Sequence, residues 1–263
     1  MRLYYEVAVR SVRRHLASRS AALAGWVTNA VFGAVIAAVY LGFYRNVAGG
    51  EQVGGFDERG IVTFVWIAQS LLAVVGIFGN WEIGVSIRSG DVVADLIKPF
   101  DYYLYWLAQE VGRVASQVLL RMAPTFALGA VFFDLAWPAS PARWLAFGAA
   151  VVLASLVGFA VRFLFNVSAF WLTDLQGTRA LYIATIGFFS GQYVPLVFYP
   201  NGLRVLADAL PFRAMVMSPV EAYLGLDDVA LVLGRQLLWF AVLSASSYAI
   251  LARAVRKLVI QGG

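Results

Sequence analysis

Trp144-Leu145-Ala146-Phe147-Gly148-Ala149-Ala150-Val151-Val152-Leu153-Ala154-Ser155-Leu156-Val157-Gly158-Phe159-Ala160-Val161-Arg162-Phe163-Leu164-Phe165 holds one ionisable side chain, Arg162, close to its end. A helix needs about 20 mostly apolar residues to cross the hydrocarbon core of a bilayer, so this stretch reads as a membrane span. Comparable stretches lie near residues 22–44, 61–80, 114–133, 178–198 and 229–252. Six spans leave little of a 263-residue chain for anything else, and the expected fold is an all-α membrane protein, one domain over 1–263. The composition agrees: 61% hydrophobic and 13% charged, where a soluble domain carries about 25% charged residues. The absence of cysteine and a lone histidine, His15, argue against disulfides and metal clusters. The net charge of +5 is read by position rather than as a nucleic-acid signal.

With an even number of spans both termini share one side. Arg2, Arg10, Arg13, Arg14 and Arg19 precede the first span, and Arg253, Arg256 and Lys257 follow the last. The segment between spans two and three adds Arg88, Lys98 and Arg113, and Arg162 and Arg179 flank the turn between four and five. The opposite side holds Arg45, Arg59, Arg143, Arg204 and Arg213, while Arg121 and Arg235 fall within spans. Cytoplasmic loops carry the excess of basic residues, so the expected topology is N-in, C-in. Arginine supplies 18 of the 20 basic residues beside abundant Ala, Val and Gly, which points to a GC-rich bacterial genome and a bacterial plasma membrane. The first apolar run is longer than a signal-peptide core and follows a basic helix, so no cleavable signal is expected.

Residues 1–20 predict a basic amphipathic helix, with Tyr5, Ala8, Val9, Val12 and Leu16 on one face and Arg2, Glu6, Arg10 and Arg13 on the other. Such a helix lies along a lipid surface, or also touches a cytoplasmic partner. Between spans two and three, Arg88-Ser89-Gly90-Asp91-Val92-Val93-Ala94-Asp95-Leu96-Ile97-Lys98-Pro99 predicts a short helix over 89–98. Ser89 is its candidate N-cap and Pro99 its stop. Asp91, Asp95 and Lys98 recur at i, i+4 and i+7 and share a face, either solvated or docking a soluble partner, while Val92, Val93, Leu96 and Ile97 offer apolar surface to the membrane or span ends. Tyr102, Tyr103, Tyr105 and Trp106 follow as an aromatic belt at the inner interface. Pro124 permits a kink in span three. Residues 191–212, apolar but broken by Gly191, Pro195, Pro200 and Pro211, predict outer re-entrant or interfacial helices.

This order of parts resembles the permease subunits of bacterial type 2 ATP-binding-cassette exporters. The 88–99 run with Tyr105-Trp106-Leu107 is similar to the inside-loop signature of a subgroup, and Phe189-Ser190-Gly191 with the following prolines is similar to the family's outer helical element. The resemblance implies a non-enzymatic transmembrane permease that forms a translocation path as a dimer, with a second permease, identical or related, at its side. Its partners would be membrane lipids and separate cytoplasmic ATPase subunits that bind the ATP; no cofactor is expected in this chain. It further implies that residues 1–20 are an elbow helix and that 86–99 is a cytoplasmic coupling helix, with Arg88, Asp91, Asp95 and Lys98 as ATPase-coupling residues.

No Gly-x-x-x-x-Gly-Lys-Ser/Thr phosphate loop and no Gly-x-Ser-x-Gly elbow occurs. The alternative reading is an ion-coupled secondary transporter or a structural membrane subunit. Ion-coupled carriers place carboxylates within spans, whereas the acids here fall at span ends and loops, Glu110 near Arg113 being the nearest exception. Arg235 lies close enough to the end of span six to snorkel outward. Arg121 lies eight residues beyond Arg113, about 12 Å deeper along a helix. Snorkelling, a partner within the bundle, or a substrate or lipid anion would each offset its cost there.

Overall fold

The computed structural model describes residues 2–17, 19–46, 51–172 and 174–261, with side chains except those of 19–23 and 257–261. The side chains of Arg19 and Lys257, both used in the charge count, and residues 48–50 of the loop after span one lie outside what is described. Among the described residues all regular structure is helical, apart from one isolated antiparallel bridge between Val53 and Phe56. Five helical stretches are long and apolar enough to cross a membrane: Ala24–Asn46, Glu58–Gly76, Tyr102–Phe132, Pro141–Phe170 and Val229–Arg256.

Helix α1 (Arg2–Leu16) precedes α2 (Arg19–Asn46), the first span. The second span is α3 (Glu58–Leu71), capped by Asp57, whose carboxylate accepts from Gly60 N, and prolonged by a π turn over Leu72–Gly76. The third is α6 (Tyr102–Gln117), a π turn at Val118–Met122, and α7 (Ala123–Phe132). Asp101 caps it by accepting from Leu104 N at 2.8 Å. The span therefore begins twelve residues before its expected start, and the aromatic run is helical. It is also partly interior: Tyr102 and Tyr103 are buried against Phe163, with the Tyr103 hydroxyl 2.8 Å from Ser244 Oγ. Tyr105 stacks on Phe100 instead. Pro124 lacks an N–H, so it gives no helical hydrogen bond to Leu120 O, four residues back. Trp26 of α2 donates its indole N–H to that carbonyl at 2.5 Å, tying span one to the irregular middle of span three.

The fourth span, α8 (Pro141–Val167), and α3 are the buried pair, and α2, α6–α7 and α12 (Val229–Gln261) surround them with apolar residues left outward. The expected fifth span is shorter than hydropathy suggests. Helix α9 (Leu175–Phe189) has 15 residues, about 22 Å at 1.5 Å per residue, against a hydrocarbon core of about 30 Å. It stops nine residues before the expected end because Gly191 adopts φ 78° and turns the chain back, so that Tyr193 packs on Gly187. A 3-10 turn at Leu196–Phe198, α10 (Asn201–Asp208) and a second 3-10 turn at Pro211–Met215 follow. Next comes α11 (Met217–Leu224), a buried helix packed on α8 that hydropathy did not separate from its surroundings.

Gly129 on α7 faces the Trp66 indole of α3 so closely that a Cβ there would collide with the ring, whereas a Cβ at Gly148 on α8 meets nothing within 4 Å. Gly129→Ala is therefore expected to destabilise the bundle by about 1–3 kcal/mol through overpacking. Gly148→Ala should be neutral or stabilising by up to about 1 kcal/mol through helix propensity. Thermal unfolding of the two variants in detergent micelles compares them.

Candidate functional site

The segment after the second span is built on three left-handed glycines. Gly76 (φ 75°) ends the π turn, Gly79 (φ 74°) turns the chain, and Gly90 (φ 84°) caps α4 (Glu82–Ser89). Helix α5 (Val92–Leu96) follows as a single turn and a half. The expected continuous helix over 89–98 is thus two helices broken at Gly90. Ser89 is the last residue of α4 rather than an N-cap, and its hydroxyl donates to Asp91 at 2.6 Å. Asp91 occupies the position before α5 but has helical backbone angles and makes no side-chain cap. Lys98 donates to Asp95 at 2.7 Å, and that carboxylate holds the exposed ammonium above its ordinary pKa. The apolar residues divide: Val92 is fully buried, while Val93 and Ile97 remain 47% and 79% exposed. Arg88, Asp91 and Lys98 are exposed beside them. The outward surface is therefore mixed apolar and charged.

The inward side of the segment is fastened by Asn166 near the end of α8. Its amide oxygen accepts from Gly84 N at 2.8 Å, and its amide nitrogen donates to Asn80 O at 3.1 Å. One turn earlier on the same helix, Arg162 enters a buried ion cluster. Glu110 of α6 receives Arg113 in bidentate fashion at 2.6 and 2.8 Å and Arg162 at 2.7 Å. The last carbonyls of a helix have no partner within it, and here those of the second span are met by the same guanidinium groups. Arg113 donates to Ala73 O at 2.5 Å and Val74 O at 2.7 Å, Arg162 to Val75 O at 3.3 Å and Gly76 O at 3.4 Å, and Tyr182 of α9 to Gly76 O at 3.0 Å. Arg113 and Arg162, counted in sequence as flanking cations, are interior residues, with side chains 12% and 4% exposed.

Helix α1 packs on α6. Ser11 donates to Gln109 O at 2.7 Å and Ser116 to Val12 O at 3.3 Å, and Gly112 leaves room for the Ala8 carbonyl, which a Cβ would strike. The face turned to protein runs through Tyr4, Ala8, Ser11 and His15, one step round from the expected apolar face, and Tyr5 and Leu16 stay exposed. Arg14 reaches Glu82 of α4 at 3.3 Å, so α1 also touches the 82–98 segment.

A second charge cluster joins α10, α11 and α12. Glu221 is held by Arg213 at 2.5 Å and Arg235 at 2.9 Å, and Arg213 also pairs with Asp208. Arg235, expected to snorkel, is an ion-pair partner with 24% of its side chain exposed. Arg143 donates to Leu224 O at 3.0 Å, the carbonyl at the end of α11. Arg121 lies in the π turn of the third span, its guanidinium against Gly25 of α2, where a Cβ would come within 3.2 Å of Cζ.

Residues 34–262 match the model of the ABC-2 family transporter proteins. The chain belongs to that family. No curated protein and no solved structure matches. As an ABC-2 transporter this chain is a multi-pass, non-catalytic membrane component with five candidate spans. The structure leaves Arg88, Asp91 and Lys98 exposed and Asp95 partly exposed along the 82–98 segment, and places Arg121 in the third span. It adds the Glu110–Arg113–Arg162 cluster, which sequence reasoning did not assemble. The i, i+3 spacing of Glu110 and Arg113 was the visible signal; Arg162 is 49 residues further on and carried none.

Breaking a buried ion pair from one side costs about 3–5 kcal/mol, because it strands the partner charge. Glu110→Gln in this transporter should lower its melting temperature far more than removal of an exposed pair such as Arg45→Gln. Replacing Glu110, Arg113 and Arg162 together with Leu should recover only part of the loss, since the carbonyls of Ala73, Val74 and Val75 would then lose these donors. Wild-type melting of Glu110→Gln would show that the cluster contributes little.

Proposed function

We propose that this chain is the permease subunit of a bacterial exporter, two permeases forming the translocation path and separate cytoplasmic ATPases supplying the energy. The 82–98 segment docks the ATPase, with Arg88, Asp91, Asp95 and Lys98 as its polar contacts and Val93 and Ile97 as its apolar ones. The observation that carries this reading is the two-sided construction of the segment: its outer surface presents exposed apolar and charged residues, while its inner side is tied through Asn166 to α8 and through Arg14 to the elbow helix α1. A push on α4 thus has a short hydrogen-bonded route into the buried α3–α8 pair. In this reading α9 and the broken 190–216 element together make the fifth of six membrane passages and its outer re-entrant cap, giving N-in, C-in topology in a bacterial plasma membrane.

The charge placement disfavours an ion-coupled carrier. Such a carrier needs an interior carboxylate free to bind and release its ion. The two buried carboxylates among the described residues, Glu110 and Glu221, are each held by two arginines.

Two experiments test the proposal. Single cysteines at positions 90 and 205 should label from the cytoplasmic and the outer side respectively, and labelling of both from one side would overturn the topology. Asp91→Lys with Asp95→Lys and Ile97→Asp should weaken co-purification with the ATPase and lower transport while membrane insertion stays normal. Each exposed ion pair contributes only about 0–1 kcal/mol, so the combined variant is needed. Unchanged ATPase association would assign this surface to solvent.

A further inference from the structure

An open cleft of about 410 Å³ separates the 80–91 stretch from the start of α9. Trp81, Glu82, Ser86 and Asp91 line one side of it and Arg179 lines the other. Opposite charges thus share a gap that nothing bridges. Among the described residues neither Asp91 nor Arg179 has an ion-pair partner: Asp91 accepts from the Ser89 hydroxyl at 2.6 Å, and the exposed Arg179 guanidinium rests over the Trp81 ring at 5.5 Å. Glu82 is already engaged by Arg14 at 3.3 Å. We propose that this cleft is the working gap of the docking segment, and that it closes through an ion pair between Asp91 and Arg179.

The segment is held unequally on the two sides of Gly90. Helix α4 is fastened through Asn166 and Arg14, whereas Asp91 and α5 follow Gly90, whose φ of 84° is left-handed and beside which a Cβ would meet nothing within 4 Å. Hinges absorb movement in the backbone angles of a few such residues between elements. Helix α5 is anchored inward by Val92 and leaves Val93 exposed, with Ile97 exposed just beyond it, so a load on that outer surface turns it about Gly90 and carries Asp91 with it. Across the cleft, the contact of Arg179 with an aromatic face is of the same small order as an exposed ion pair. Exchange of one for the other is therefore nearly balanced, and a partner that favours either arrangement shifts it. The consequence reaches α9. Arg179 lies three residues before Tyr182, whose hydroxyl donates to Gly76 O at 3.0 Å and whose ring meets Trp81 edge-on at 5.5 Å. Closure thus draws on the base of α9 and on the end of the second span, a route separate from the Asn166 tie to α8. The inference rests on the reading of 82–98 as the docking segment and names what its movement changes.

The chain has no cysteine, so Val93→Cys with Ala180→Cys places one spin label on α5 and one on α9, both at exposed positions. Pulsed electron paramagnetic resonance then measures the distance between the labels in the purified full chain in lipid nanodiscs. Two populations are expected, and the shorter should fall as salt is raised, because ions screen an exposed pair. Asp91→Arg and Arg179→Asp should each lower the ratio of short to long distances by about fivefold, the weight of an exposed ion pair. The two reversals together should restore it, which also excludes misfolding as the cause of the single losses. Arg179→Lys should keep most of the short population, since the pair needs the charge rather than the planar fork. A distribution indifferent to both single reversals, or a loss that the exchanged pair does not restore, would overturn the proposal. Because no ATPase is present in the measurement, failure here is distinct from failure of the docking reading, which co-purification addresses.

Discussion

The end of the second span sets the terms for the rest of the molecule. Its helix widens into a π turn and stops at Gly76, leaving the carbonyls of Ala73, Val74, Val75 and Gly76 pointing into the bundle. Away from water each unsatisfied backbone group costs several kcal/mol. Arg113 and Arg162 bring the donors from two other spans, Tyr182 brings one from α9, and Glu110 neutralises the charge they carry inward. Four helices are thereby fixed at one point. Gly158 completes the approach: a Cβ there would lie 2.7 Å from Val75 O, so only glycine lets α8 pass this close.

The same device recurs on α11. Gly225, at φ 72°, ends that helix, and Arg143 of α8 donates to its last carbonyl, while Glu221 is clasped between Arg213 and Arg235. Single buried amides join the two regions: Gln236 of α12 donates to Ala150 O and Ala214 O, and Gln192 donates to Ala68 O. Each irregular stretch of backbone at membrane depth is answered by a side chain from a neighbouring element, which is how a bundle tolerates broken helices where water is scarce.

For the proposed coupling of ATPase and permease, this arrangement matters because the docking segment is not an appendage. Asn166 holds α4 to the helix that also supplies Arg162, and Arg14 links it to α1, which lies along α6 beside Glu110. Displacement of α4 therefore bears on α1 and on the ion cluster together.

Hydropathy alone gave the class of the protein and marked six stretches, five of which are helices long and apolar enough to cross a membrane, because twenty apolar residues in a row carry that information without reference to any other part of the chain. Local chemistry also marked the amphipathic helix α1, the charged 88–99 run and the broken 191–212 region. The break at Gly90 was not read, because the i, i+4, i+7 spacing of Asp91, Asp95 and Lys98 continues through it while the backbone does not. Nor was the shortness of α9, since its apolar composition runs on past Gly191. Charge counting treated Arg113 and Arg162 as flanking cations and expected Arg235 to snorkel from within its span; whether an arginine near a span end faces water or a carboxylate depends on which helix lies opposite. That pairing of Glu110 with Arg162, and of Glu221 with Arg213 and Arg235, exists only once α6, α8, α11 and α12 are packed. The sequence by itself determined which segments are long and apolar enough to enter a membrane, through the free energy of transferring each from water. The tertiary structure decided where the buried charges and free carbonyls find each other, because those partners are remote in the chain and adjacent only in the folded bundle.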